Sequence, residues 1–138
     1  MSQPSLKILI VDDMKTMRVL MRKRLAELGL TEVVEAQDGE EAWRELEKAI
    51  KAQQPFQLVI SDWAMPQLKG IHLLKRIRSH SQMKGLAFVM LTAENEAESV
   101  KEAIQEGVTN YLVKPFTTEI FQEKVKAALR VVTSKKVA

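Results

Sequence analysis

Five short apolar runs, Leu6–Val11, Val33–Ala36, Phe56–Ser61, Leu86–Leu91 and Tyr111–Val113, alternate with longer stretches of helical spacing. The runs are rich in β-branched and large apolar residues, and several are nearly continuous. A strand with one wet face alternates apolar and polar residues, whereas a strand covered on both faces does not. The runs therefore predict parallel strands sandwiched between helices. After the first run, Met17, Leu20, Met21, Arg24, Leu25 and Leu28 recur at steps of three and four, as on one face of a helix. Gly29 and Gly107 stand where left-handed caps would end helices. Asp38 with Glu41, and Asn95 with Glu98, have the spacing of a helix cap and its returning carboxylate. Five strands alternating with five helices make an α/β protein, a doubly wound parallel sheet with right-handed crossovers.

At 138 residues the chain suits one domain, residues 1–138, with Thr133–Ala138 expected as a frayed basic tail. It shows no internal repeat, low-complexity segment or linker. The formal charge of +3 is too mild to predict nucleic-acid binding. No apolar run approaches the roughly 18 residues that a membrane span needs. The opening MSQPSLK lacks the regions of a signal peptide, and with no cysteine there is no disulfide framework or thiolate metal site. A cytoplasmic location is expected.

In a parallel sheet, functional groups gather beyond the carboxyl ends of the strands. Asp12 and Asp13 end the first run, Asp62 the third, Thr92 the fourth and Lys114 the fifth. The second is the exception, ending in Glu35, Ala36 and Gln37. Taken singly, an Asp after a strand is a turn former or a helix cap. Together these residues describe something else. Three converging carboxylates raise one another's pKa unless a cation sits among them, and all-oxygen ligands suit Mg²⁺. Lys114 and Thr92 add an ammonium and a hydroxyl, completing a place for a phosphoryl group. Neither His72 nor His80 falls at a strand end, so a carboxylate is the available nucleophile. Asp62, after Leu58-Val59-Ile60-Ser61 on the strand expected at the centre, is best placed; Asp12 and Asp13 suit ion binding.

These residues resemble those of a response-regulator receiver domain, most closely the stand-alone chemotaxis type that acts on the flagellar motor. The resemblance covers about the whole chain. It is carried by ILIVDDMKTMR, LVISDWAMPQLKGIHLLKRIR, VMLTAENE and NYLVKPFT, in that order. It implies a flavodoxin-like sheet of order 2-1-3-4-5. Asp62 would accept a phosphoryl group from a phosphohistidine on a sensor histidine kinase. Asp13 and Asp62 would bind Mg²⁺ through carboxylates, Ala64 through its carbonyl and Asp12 through water. Thr92 and Lys114 would hold the phosphoryl oxygens, and the Lys114–Pro115 bond would be cis. Tyr111 would be an aromatic switch beside a partner face that includes Ala103, Ile104 and Lys124. The output partner implied is a flagellar motor switch component, with a phosphatase as a further partner. A monomer is expected before phosphorylation.

Two positions depart from the chemotaxis pattern or tune it. Ala64 stands two residues after Asp62, where relatives carry a polar side chain, and Glu94 stands two residues after Thr92. Both resemble positions that set the lifetime of the phosphoryl group. The stretch Glu47–Gln54 is longer than in relatives, predicting an extended second helix or loop. Lys15, Arg18, Arg22 and Lys23 form a basic stripe, read as a solvated helix face. Met14, Met17, Met21 and Met90 read as core filler, Trp43 as packing the second helix, Trp63 as half-exposed near the site, and His72 and His80 as surface residues. Two other readings compete: an aspartyl-phosphate phosphatase, and a receiver cut from a longer regulator. The phosphatase class wants a second acid two residues after its nucleophile, and here those positions hold Met14 and Ala64.

Overall fold

The apolar runs become strands β1 (Lys7–Val11), β2 (Glu32–Ala36), β3 (Leu58–Asp62), β4 (Ala87–Ala93) and β5 (Asn110–Lys114) in a computed structural model that describes residues 6–65, 68–93 and 97–137, with side chains through Val132. All pair in parallel in the order β2-β1-β3-β4-β5, which puts β3 at the centre as expected. Between them run α1 (Lys15–Ala26), α2 (Gly39–Lys51), α3 (Gly70–Ser79) and α4 (Ala97–Gln105), followed by α5 (Thr118–Val137). Two boundaries differ from the apolar pattern by two residues, and the others by one at most. β3 starts at Leu58, although Phe56 ahead of it is still buried, and β4 continues to Ala93.

The near-continuous runs have a direct cause, because successive side chains feed opposite cores. Leu9, Val11, Val59, Phe88 and Met90 pack with Leu46 of α2, Leu73, Leu74 and Ile77 of α3, and Ala103 of α4. Ile8, Ile10, Leu58, Ile60, Val89 and Leu91 pack with Met21 and Leu25 of α1 and with Phe121 and Val125 of α5. Each such Val, Leu, Ile, Phe or Met side chain, fully buried, stabilises the fold by roughly 1.5–3 kcal/mol before entropy is counted.

The helix ends largely follow the predicted chemistry. Gly29 and Gly107 have φ of 80° and 87°, and the N–H groups of Leu30 and Val108 close back onto the carbonyls of Leu25 and Ala103 at 3.0 Å. Asp38 caps α2 by accepting from the Glu41 N–H at 2.8 Å. The other proposed cap residue, Asn95, lies outside the described residues. The longer Glu47–Gln54 stretch resolves into helix as far as Lys51 and then a closing turn. That turn puts Gln53 at φ 59°, with Gln54 donating to the Ala49 carbonyl at 2.9 Å. Helical backbone extends through Val137, into the segment expected as a tail. No helix among the described residues is long and apolar enough to cross a membrane.

Packing corrects three expectations. Met14 is 56% exposed, because it sits ahead of α1 on the loop rather than on the buried face. Ala103 is fully buried in the core under α4, so it supports the expected partner face from beneath instead of forming it; Ile104 beside it is exposed. His80 is half-buried, its ring 5.9 Å from that of Trp43 in an edge arrangement.

Candidate functional site

β1, β3, β4 and β5 deliver their polar residues to one edge, as the strand-end rule requires. The Asp12 N–H still belongs to the sheet, donating to the Ala36 carbonyl at 3.1 Å, while its side chain is fully buried. Asp12 Oδ1 accepts from the Met14 N–H at 2.9 Å, just ahead of α1. Asp13 follows and is exposed. The adjacent aspartates therefore differ in setting, as expected, one fixed in the interior and one facing outward. Asp62 ends the central strand, mostly covered at 14% side-chain exposure. Carboxylate oxygens of Asp12, Asp13 and Asp62 all lie within 4.8 Å of one another.

Lys114, at the end of β5, reaches across this cluster. Its Nζ is 3.2 Å from Asp62 Oδ1 and 3.4 Å from Asp12 Oδ2. The balance at Asp62 still raises its carboxyl. Burial pushes its carboxyl above the ordinary carboxylate value, the Lys114 ammonium pulls it down, and the charges of Asp12 and Asp13 push it up again. A divalent cation would relieve that conflict, and the donor set of three carboxylates fits Mg²⁺. Thr92 is 1% exposed, its hydroxyl donating to the Ala93 carbonyl at 3.1 Å.

The backbone around Asp62 leaves no slack. Trp63 donates to the Leu91 carbonyl at 2.8 Å and accepts from Gly70 at 3.0 Å. A Cβ on Gly70 would lie 2.3 Å from the Asp62 carbonyl oxygen, so only glycine lets α3 start this close to the site. Trp63 is half-buried and Ala64 exposed. Glu94 lies outside the described residues. Farther along the edge, Tyr111 is half-buried on β5, with the Lys124 ammonium 5.3 Å from its ring centroid. The Lys124 Nζ also donates to Asn110 Oδ1 at 3.2 Å, and the Lys114–Pro115 bond is cis.

The basic stripe on α1 is solvated at Lys15, Arg22 and Lys23, but Arg18 is largely covered, and both Arg18 and Arg22 bind Glu35, the residue at the strand end with no assigned task. Arg18 Nε is 2.9 Å from one carboxylate oxygen and Arg22 Nε is 2.8 Å from the other. Arg18 Nη1 continues to the main-chain carbonyl of Asp12 at 2.6 Å. The signal available was a carboxylate near the carboxyl end of a strand and two arginines four residues apart on the preceding helix.

Residues 8–126 match the family model for the response regulator receiver domain. The chain is 44% identical over 121 residues to the chemotaxis protein CheY-3 of Vibrio cholerae, covering 88% of this chain and 89% of that one. It is 40% identical over 124 residues to the chemotaxis protein CheY1 of Helicobacter pylori, covering 90% and 97%. Among solved structures, the chemotaxis protein CheY4 of Vibrio cholerae superposes with a TM-score of 0.78 at 37% identity, covering 91% of this chain and 99% of that one.

Proposed function

Since the chain belongs to the response regulator receiver family, we propose that it carries a phosphoryl signal on Asp62 within a two-component system serving chemotaxis or flagellar motor control. The observation that carries this reading is Asp62 itself. It ends the central strand with an ammonium 3.2 Å away and two further carboxylates close enough to share a cation. Asp62 and Asp13 would hold Mg²⁺ through carboxylates, with Asp12 through water and Ala64 through its carbonyl. Bound there, the ion supplies charge neutralisation for the carboxylates and the phosphoryl oxygens.

The chain's own residues do the rest. An Asp62 carboxylate oxygen attacks phosphorus, forming the P–O bond as the bond to the donor breaks and the leaving group departs with its electron pair. Lys114 neutralises charge on the transferred group, and the Thr92 hydroxyl exchanges the Ala93 carbonyl for a phosphoryl oxygen. Movement of Thr92 frees space for the Tyr111 ring, which changes the surface made by Ile104, Tyr111 and Lys124 over the buried Ala103. The donor is a sensor histidine kinase, and the reader of that face is a flagellar motor switch component. Both the gain and the loss of the group are autocatalysed by the domain, which acts in the cytoplasm. Ala64 and Glu94 set how long the aspartyl phosphate lasts.

The test is incubation with Mg²⁺ and acetyl phosphate, read by intact mass, beside Asp62→Asn. Labelling of the wild type and none of the variant is expected. Equal labelling of both would overturn the assignment of Asp62, and continuous phosphate release from varied monoesters would replace the receiver by a phosphatase.

A further inference from the structure

Glu35 is the one strand-end acid that the phosphoryl chemistry leaves unused, and its surroundings are organised in detail. Arg22 fixes one carboxylate oxygen and is itself anchored by Nη2 on the Val33 carbonyl at 2.9 Å. Arg18 binds the other oxygen with a side chain only 12% exposed. Burial raises the Glu35 carboxyl, but hydrogen bonds and charge from Arg22 and Arg18 outweigh it and hold the group below its ordinary value. A guanidinium is planar, so its donors are placed as a set. With Nε held by Glu35, Nη1 is aimed at the Asp12 carbonyl, and that contact is the shorter of the two at 2.6 Å.

The Asp12 carbonyl belongs to the peptide plane that joins Asp12 to Asp13. Because that plane is rigid, fixing its oxygen fixes the amide nitrogen and the Cα of Asp13, the point from which the Asp13 side chain leaves the backbone. The Asp12 N–H is already held by Ala36 on β2. Glu35, also on β2, holds the other side of the residue through Arg18.

We infer that Arg18, aligned by Glu35, is a positioning residue for the acidic pair, fixing the Asp12–Asp13 peptide so that both carboxylates face one cation. The inference rests on the Mg²⁺ reading above. It also predicts a sign that charge alone would not give. A guanidinium behind an acidic cluster repels a cation, so by Coulomb's law its removal tightens Mg²⁺ binding, whereas loss of a positioning contact weakens it.

The experiment measures Mg²⁺ affinity by titration calorimetry for the wild type, Arg18→Ala, Arg18→Lys and Glu35→Gln. Lysine keeps the charge but lacks the planar fork that places two donors on the two acceptors as a set. Dissociation constants about 10-fold higher are expected for both Arg18 variants, with a smaller rise for Glu35→Gln. In EDTA, the amide resonances of Asp13 and Met14 should shift in all three variants while those of β4 and α3 stay in place. Affinity within about twofold of wild type in Arg18→Lys, or tighter binding in Arg18→Ala, would overturn the inference. If Arg18→Ala does not fold, Arg18→Lys decides it, because Glu35→Gln removes a negative charge and weakens binding on charge alone. No Mg²⁺ binding by the wild type would instead sink the receiver chemistry on which the inference rests.

Discussion

The two ends of the sheet are built on opposite principles. At the amino end, Leu46, Ile50, Phe56, Met83, Leu86 and Val132 line an apolar hollow of about 280 Å³. At the carboxyl end lie the buried polar side chains found among the described residues, Asp12, Ser61 and Thr92, together with Asp62 and Lys114. The amino end lowers the free energy of the fold by removing apolar surface from water. The carboxyl end holds three carboxylates together at a cost that one ammonium only partly offsets. Stability and the proposed function are thus placed about one strand length apart, and changes at the two ends should have separable effects.

The largest effect on stability should come from the amino end. Phe56→Ala removes a buried ring and should cost about 3 kcal/mol in urea denaturation, with Mg²⁺ affinity and labelling of the folded protein unchanged. A parallel loss of labelling would show that the two ends are coupled. Next comes a change that joins them. Gly70→Ala puts a methyl group 2.3 Å from the Asp62 carbonyl oxygen and 2.9 Å from Met90 Sδ. It should cost about 2 kcal/mol and also slow labelling, because relief requires the end of β3 to move. Stability lost without slower labelling would mean that the site tolerates such movement.

Asp62→Asn should act in the opposite direction in metal-free buffer. The folded carboxyl of Asp62 holds its proton more tightly than the unfolded one, so its ionised form costs stability. The contribution is fully present below the ordinary value of 3.8 and is lost as pH rises through the higher folded value. In EDTA at neutral pH the variant should melt above wild type, and the gap should close in acid below that ordinary value. Added Mg²⁺ should raise the wild-type melting temperature and leave the variant nearly unmoved. A variant that melts below wild type in EDTA would show that Lys114 fully compensates the cluster. The smallest effect belongs to Gln53, a non-glycine residue at φ 59° closing α2. Gln53→Gly should stabilise by about 0.5 kcal/mol, relief of the left-handed strain being partly offset by a freer unfolded chain, and it should not alter the site.

Much of this was legible beforehand. The strands, the Gly29 and Gly107 ends, the Asp38 cap and the gathering of Asp12, Asp13, Asp62, Thr92 and Lys114 at one edge all follow from residue type and spacing. Each depends on backbone conformation within a few residues, or on the rule that parallel strands present their carboxyl ends together. The depth of Ala103, the exposure of Met14 and the contact of His80 with Trp43 were not legible in this way. Helical period shows which residues share a face; it does not show how deep that face lies or what meets it.

The same limit explains Arg18. Its spacing with Arg22 is a local fact and was read as a basic stripe. That the stripe meets Glu35 on β2 and extends to the Asp12 carbonyl depends on how α1 packs over the sheet. Local spacing sufficed for the chemistry of the edge, because strand ends converge whatever packs around them. The contacts that hold that chemistry in place came from tertiary structure, because they join residues that only the packing of α1 on the sheet brings together.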